Sequence, residues 1–202
     1  MKKKIQRSIV KMSFGVLLKG FYSVKIEGIE NLPLDGRAIL VANHASYLDP
    51  MMLYYFIKRR VLPLAKRPLF TNRWLGWVFR CTDCIPADGS YRGVLSALKK
   101  EEMVLIFPEG TRKVLQEAVP SSSHIGAAFF ALKAGALVIP VGIKGTFEAW
   151  PRTKRFPRLF MRLKLNIGRP LAFARCDENR IPRPLLEEAL NRIMDVVGEL
   201  AK

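Results

Sequence analysis

The chain has 202 residues, half of them apolar, which is enough to bury a sizeable single-domain core and too apolar for a disordered polypeptide. Its formal net charge of +17 suits an anionic partner: nucleic acid, acidic lipid headgroups, an acidic protein or a phosphorylated substrate. Three cysteines, Cys81, Cys84 and Cys176, make no even disulfide set and no secretory signal precedes them, so a reducing compartment is expected.

In chain order, residues 1–24 come first as a candidate amphipathic membrane-interface segment. Lys2, Lys3, Lys4, Arg7 and Lys11 accompany Ile5, Ile9, Met12 and Val16 at helical spacing. The apolar run from Met12 to Leu18 is far shorter than the ~20 residues a membrane span needs, and no clear cleavage site follows it. Two readings fit this pattern: a basic helix lying in a membrane interface, or a first helix packed on the domain.

Residues 25–202 read as the main domain. "AILVA" (Ala38 to Ala42), "VLPLA" (Val61 to Ala65), "MVLIF" (Met103 to Phe107) and "LVIPVGI" (Leu137 to Ile143) are short apolar runs expected as buried strands. "MRLKLNI" (Met161 to Ile167) alternates charged and apolar residues, which suggests a half-exposed strand nearer an edge. Helices are expected after Asn43, over Gly93 to Lys100, over Gly126 to Ala134 and from Leu185 to Leu200. The last carries one apolar stripe of Leu186, Leu190, Ile193, Val197 and Leu200. Strands alternating with helices predict an α/β fold: one domain, with a mainly parallel or mixed central sheet flanked by helices. "CTDC" at Cys81–Cys84 has no second pair for a zinc site and no thioredoxin-like context for a redox role.

Sheets of this kind bind ligands beyond the carboxyl ends of their strands, which draws attention to two junctions. "AILVA" runs into "NHASYLDP", where His44 stands five residues before Asp49. A carboxylate that fixes the tautomer of a histidine makes it a general base; the alternative is a polar residue at a helix start. Five residues is too long for same-face helical spacing, so a turn has to bring Asp49 back. Asn43 or Ser46 could cap the helix, and Pro50 biases Asp49 away from helical geometry, so a helix through Leu48 is expected to restart after it. Ser46, two residues from His44, is badly placed as a nucleophile. The second junction is "MVLIF" into Pro108-Glu109-Gly110-Thr111-Arg112. Its turn presents backbone N–H groups, and Arg112 adds a planar fork suited to phosphate. Parallel, neighbouring strands would raise His44 and Arg112 from one edge.

Together, N-H-x4-D and F-P-E-G-T-R about sixty residues later resemble the glycerolipid acyltransferase family, whose bacterial members include 1-acylglycerol-3-phosphate acyltransferases. "LPLAKRPLF" (Leu62 to Phe70) and "HIGAAFFALKAGALVIPVGIKGT" (His124 to Thr146) resemble further family blocks, so the similarity covers roughly residues 25 to 170. The resemblance implies metal-free and cofactor-free acyl transfer. His44, polarised by Asp49, would deprotonate the hydroxyl of a lysophospholipid acceptor. The acceptor would then attack an acyl thioester, either acyl-CoA or an acylated carrier protein. Arg112 would bind the acceptor phosphate, with Glu109, Gly110 and Thr111 shaping its site. The family's second block ends in arginine where "IPADG" has Gly89, so Arg92 and Lys66 become the candidate replacement cations. After FPEGTR the sequence departs again, with His124 near the family's usual lysine. Both departures bear on the acceptor, and another lysolipid such as a lyso-ornithine lipid is the alternative.

"PRTKRFPRLFMRLKLNIGR" (Pro151 to Arg169) is basic and aromatic without an acidic residue, and "NRWLGWVFR" places Trp74 and Trp77 between arginines. Both compositions fit an anionic membrane surface, and an acidic carrier protein would be drawn to the same charge. No nucleic-acid-binding motif is present, and none of the strands reads as an exposed aromatic platform. A peripheral or monotopic enzyme on the cytoplasmic face of the cell membrane is therefore expected, with no nucleic-acid partner.

Overall fold

All five expected strands form, and two further strands join them in one sheet. The computed structural model describes residues 2–71, 75–87, 91–108, 125–151, 153–176 and 181–202. Helix α1 (Lys2–Phe21) leads into β1 (Tyr22–Glu27), β2 (Ala38–Ala42), α2 (Leu48–Phe56) and β3 (Val61–Lys66). The short helices α3 (Pro68–Thr71) and α4 (Leu75–Cys81) precede β4 (Ile85–Ala87), α5 (Arg92–Lys99) and β5 (Met103–Ile106). Then come α6 (Gly126–Ala134), β6 (Leu137–Lys144), α7 (Thr146–Ala149), β7 (Met161–Ile167) and α8 (Arg183–Leu200).

The sheet order is β1-β7-β6-β2-β5-β3-β4. Neighbours are parallel except β6 and β7, which run antiparallel with Lys144 opposite Lys164. The sheet is therefore mixed, with five strands in one direction and β1 and β7 reversed. Strand β7 lies one place in from the edge, because β1 pairs along it from Tyr22–Met161 to Glu27–Asn166. Strand β1 is an addition to the expected strands: its alternation of Tyr22, Val24 and Ile26 with Ser23, Lys25 and Glu27 follows directly on a helical pattern.

Central strands are buried on both faces, as their unbroken apolar runs require. Leu40, Met103, Leu105, Ile139 and Val141 face α1 and α2, where they meet Leu18, Leu48, Met52, Leu53 and Ile57. Their neighbours Ile39, Val41, Val104 and Val138 face α5, α6 and α8, meeting Val94, Leu98, Phe130, Ile193 and Val197. The result is three layers with the sheet in the middle.

Helix α1 packs on the domain, the second of the two expectations made for it. It buries Val10 and Leu18 and packs against α2 and β1. Gly15 lets it come close, since a Cβ there would sit 2.3 Å from the Tyr55 ring. Its other stripe remains bare: Met12 is 65% and Val16 66% exposed, with Ile5 and Ile9 alongside. Arg7 fastens it to Asp83, which also pairs with Arg60 at 3.2 Å, while Arg60 reaches Glu102. No described helix is long and apolar enough to cross a membrane.

Candidate active site

The carboxyl ends of β4, β3, β5, β2 and β6 share one edge of the sheet, because these strands are mutually parallel. At the end of β2 the Asn43 amide continues the ladder by one residue. Its Nδ2 donates to Ile143 O at 2.9 Å, and the Ile143 N–H donates to its Oδ1 at 2.7 Å. Asn43 thus splices β2 to β6 and does not cap a helix.

His44 follows at once. Its Nδ1–H donates to Asp49 Oδ2 at 2.9 Å, and that oxygen also accepts the Ala45 N–H at 2.8 Å and the Ser46 N–H at 2.7 Å. The loop of residues 43–47 turns the chain back on itself, which brings Asp49 to the ring despite the five-residue separation. Asp49 is completely buried in the first turn of α2, where the helix dipole favours a carboxylate. The expectation that Pro50 interrupts this helix was wrong: α2 runs through it from Leu48 to Phe56. In a first turn the N–H that proline lacks has no intrahelical partner to lose.

Ser46, fully buried, sets the loop from the other side. Its Oγ accepts from the Leu48 N–H at 3.1 Å and donates to Trp150 O at 2.8 Å. Trp150 ends α7, reached through Gly145 at φ +83, where a side chain would collide with the Arg162 carbonyl. Across the His44 ring lies Phe107, the residue after β5, with ring centroids 4.2 Å apart and planes 24° apart. Phe107 was not singled out from the sequence. The available signal was its place between a buried strand and the FPEGTR turn.

The imidazole is 18% exposed. With Nδ1 donating to a carboxylate, Nε2 is the acceptor nitrogen, and Asp49 stabilises the imidazolium that forms on proton uptake. The arrangement can therefore work as an oriented general base. Lys66 is exposed at the end of β3, and Arg92, also exposed, opens α5 just beyond the end of β4, so both stand at the same edge. Glu109, Gly110, Thr111 and Arg112 lie outside the described residues, as do Gly89, Trp74 and His124. Burial pushes the Cys84 thiol up to about 11, which leaves it protonated and unreactive near neutral pH.

A family model described as Acyltransferase matches residues 23–144. The chloroplastic 1-acyl-sn-glycerol-3-phosphate acyltransferase LPAT1 of Arabidopsis thaliana is 30% identical over 74% of this chain, and the match spans 44% of that protein's own length. The 1-acyl-sn-glycerol-3-phosphate acyltransferase of Bacillus subtilis is 30% identical over 88% of this chain and 89% of its own. Among solved structures, the 1-acyl-sn-glycerophosphate acyltransferase PlsC of Thermotoga maritima superposes with a TM-score of 0.72 at 26% identity, covering 98% of this chain and 79% of that one.

Proposed function

Because the chain belongs to the acyltransferase family, we propose that it moves a fatty acyl chain from an acyl thioester to the free hydroxyl of 1-acylglycerol 3-phosphate. The product would be phosphatidic acid. The printed activities of the plant and bacterial relatives support this acceptor. The observation that carries the chemistry is the His44 Nδ1–Asp49 Oδ2 hydrogen bond of 2.9 Å at the carboxyl edge of the sheet.

In this reading, His44 Nε2 takes the proton of the acceptor hydroxyl as its oxygen attacks the thioester carbonyl. Asp49 stabilises the imidazolium. The tetrahedral intermediate collapses by breaking the C–S bond, and the departing thiolate recovers the proton from Nε2. Arg112 binds the acceptor phosphate with Glu109, Gly110 and Thr111 around it, and Lys66 and Arg92 are the cations that compensate for Gly89. The thioester is carried by coenzyme A or by an acyl-carrier protein, and the reaction uses no further cofactor.

The enzyme works at an anionic membrane surface, peripheral or monotopic on the cytoplasmic face. Supporting this are the bare stripe of α1 and its continuation at the site edge. Phe21 ends α1 and meets Phe160 edge to face at 6.0 Å, and the Phe160 N–H donates to Phe21 O. Phe156 and Phe160 are 73% and 80% exposed, with Lys154, Arg155 and Arg158 exposed among them. Apolar side chains bordered by cations suit the headgroup boundary.

The test of the chemistry is His44→Ala assayed over a lysolipid panel with both acyl-CoA and acyl-carrier donors. Turnover on 1-acylglycerol 3-phosphate is expected to fall about 10²- to 10⁴-fold while the protein stays folded. Near wild-type turnover by the folded variant would sink the mechanism. A wild-type preference for a phosphate-free acceptor would sink the substrate assignment.

A further inference from the structure

A cavity of about 160 Å³ opens at the other edge of the sheet, lined by Arg7, Lys11, Tyr54, Lys58, Arg60 and Asp83, among others. Val61, which also borders it, is the first residue of β3. The cavity therefore sits at the amino ends of the parallel strands, across the sheet from His44.

Its groups differ in how far they are already committed. Asp83 is shared by Arg7 and Arg60, and Arg60 also holds Glu102. Arg59 donates to the carbonyls of Pro33, Asp35, Gly36 and Glu101, a structural use that leaves it little capacity. Among the described residues, Lys11 makes one hydrogen bond, to Ile57 O at 3.3 Å, and Lys58 is exposed. Two buried atoms of the lining have no hydrogen-bond partner among the described residues: Tyr54 Oη, on a residue only 7% exposed, and Arg7 Nε. Burial pushes the Tyr54 hydroxyl up to about 12, so it remains an O–H donor at any physiological pH, and burial lowers Lys11.

The under-used groups are all donors or cations. A metal ion would meet one carboxylate already held by two guanidiniums, and an apolar ligand would leave every donor unanswered. An anion with several acceptor oxygens answers them together. Arg7 and Lys11 also flank the bare Ile5, Ile9 and Met12 stripe, so the cavity lies next to the apolar face of α1.

We propose that this cavity is a second anion site, separate from the acyl-transfer centre, which takes a phosphate group from a phospholipid headgroup or from free phosphate. Isothermal titration with inorganic phosphate at constant ionic strength tests it, using Arg112→Ala protein so that the proposed acceptor site contributes little. Saturable binding is expected, at least about tenfold weaker when Lys11→Met is added and about threefold weaker with Tyr54→Phe. Tyr54→Phe keeps the ring in its edge-on contact with Phe14 at 6.1 Å. Lys58→Met, at an exposed position, gives an independent reading without risk to the fold. Absence of saturable binding, or binding that all three substitutions leave unchanged, overturns the proposal. Flotation on phosphatidylcholine vesicles with and without phosphatidylglycerol separates the sources. Weaker anionic-vesicle binding in the same variants identifies the headgroup, whereas unchanged vesicle binding with lost phosphate binding identifies the free ion.

Discussion

The two edges of the sheet each hold an aspartate whose side chain is largely covered, and they treat it in opposite ways. At the carboxyl edge Asp49 takes two backbone N–H groups and one imidazole through a single oxygen. At the amino edge Asp83, with a side chain 6% exposed, takes two guanidiniums. A guanidinium does not give up its proton under physiological conditions, so the second arrangement can only fasten α1 to the domain. An imidazole has a second ring nitrogen to offer. The same residue type is thus a clamp on one side of the sheet and an orienting partner on the other, according to the side chain it holds.

Asp49→Asn should give the largest effect that separates the two edges. The amide keeps the size of the carboxylate but cannot stabilise an imidazolium, so kcat is expected to fall about 10²- to 10⁴-fold with KM little changed. A kcat within about twofold of wild type would reduce Asp49 to a helix-start residue. Asp83→Asn comes next, and its effect should fall on stability. Removing one partner of a fully buried ion pair costs about 3–5 kcal/mol. Arg60 is 42% exposed and Arg7 30%, so solvent screening brings the expected loss to about 1–2 kcal/mol in urea unfolding. Turnover per folded molecule should be unchanged, and a catalytic defect in folded Asp83→Asn would break the division between the edges.

The smallest effect on either edge is expected from Met12→Gln with Val16→Gln. Both side chains face outward, so unfolding free energy and turnover on a monomeric short-chain substrate should stay near wild type. Binding to anionic vesicles should weaken about tenfold, as the loss of two inserted apolar side chains implies. Unchanged binding would move membrane contact to Phe156 and Phe160. Deleting the helix would be a poorer experiment, because Val10, Leu18 and the Arg7–Asp83 pair belong to the fold.

Much of this was legible from local pattern. The runs from Ala38 to Ala42 and Met161 to Ile167, and the helix Gly126 to Ala134, have the expected limits. Buried parallel strands have unbroken apolar runs, and their carboxyl ends mark where to look for a site. His44 and Asp49 were found that way. Their supports were harder to see, because the partners are distant in sequence: Asn43 meets Ile143, Ser46 meets Trp150, and His44 meets Phe107. The side of α1 that docks could not be chosen either. The outward stripe of Ile5, Ile9, Met12 and Val16 is as regular as the stripe that packs inward, and only tertiary contact distinguishes them.

The Asn43 amide has one more consequence. By bonding both backbone groups of Ile143 it ties the residue before His44 into the middle of a seven-stranded sheet. Local opening of a fold starts at frayed ends and loosely bonded loops, and central strands open last. His44 is therefore anchored directly to the slowest-opening unit of the domain. Thermal fluctuation at this edge has to come from the surrounding segments, while the start of the His44 loop keeps its place until the sheet itself gives way.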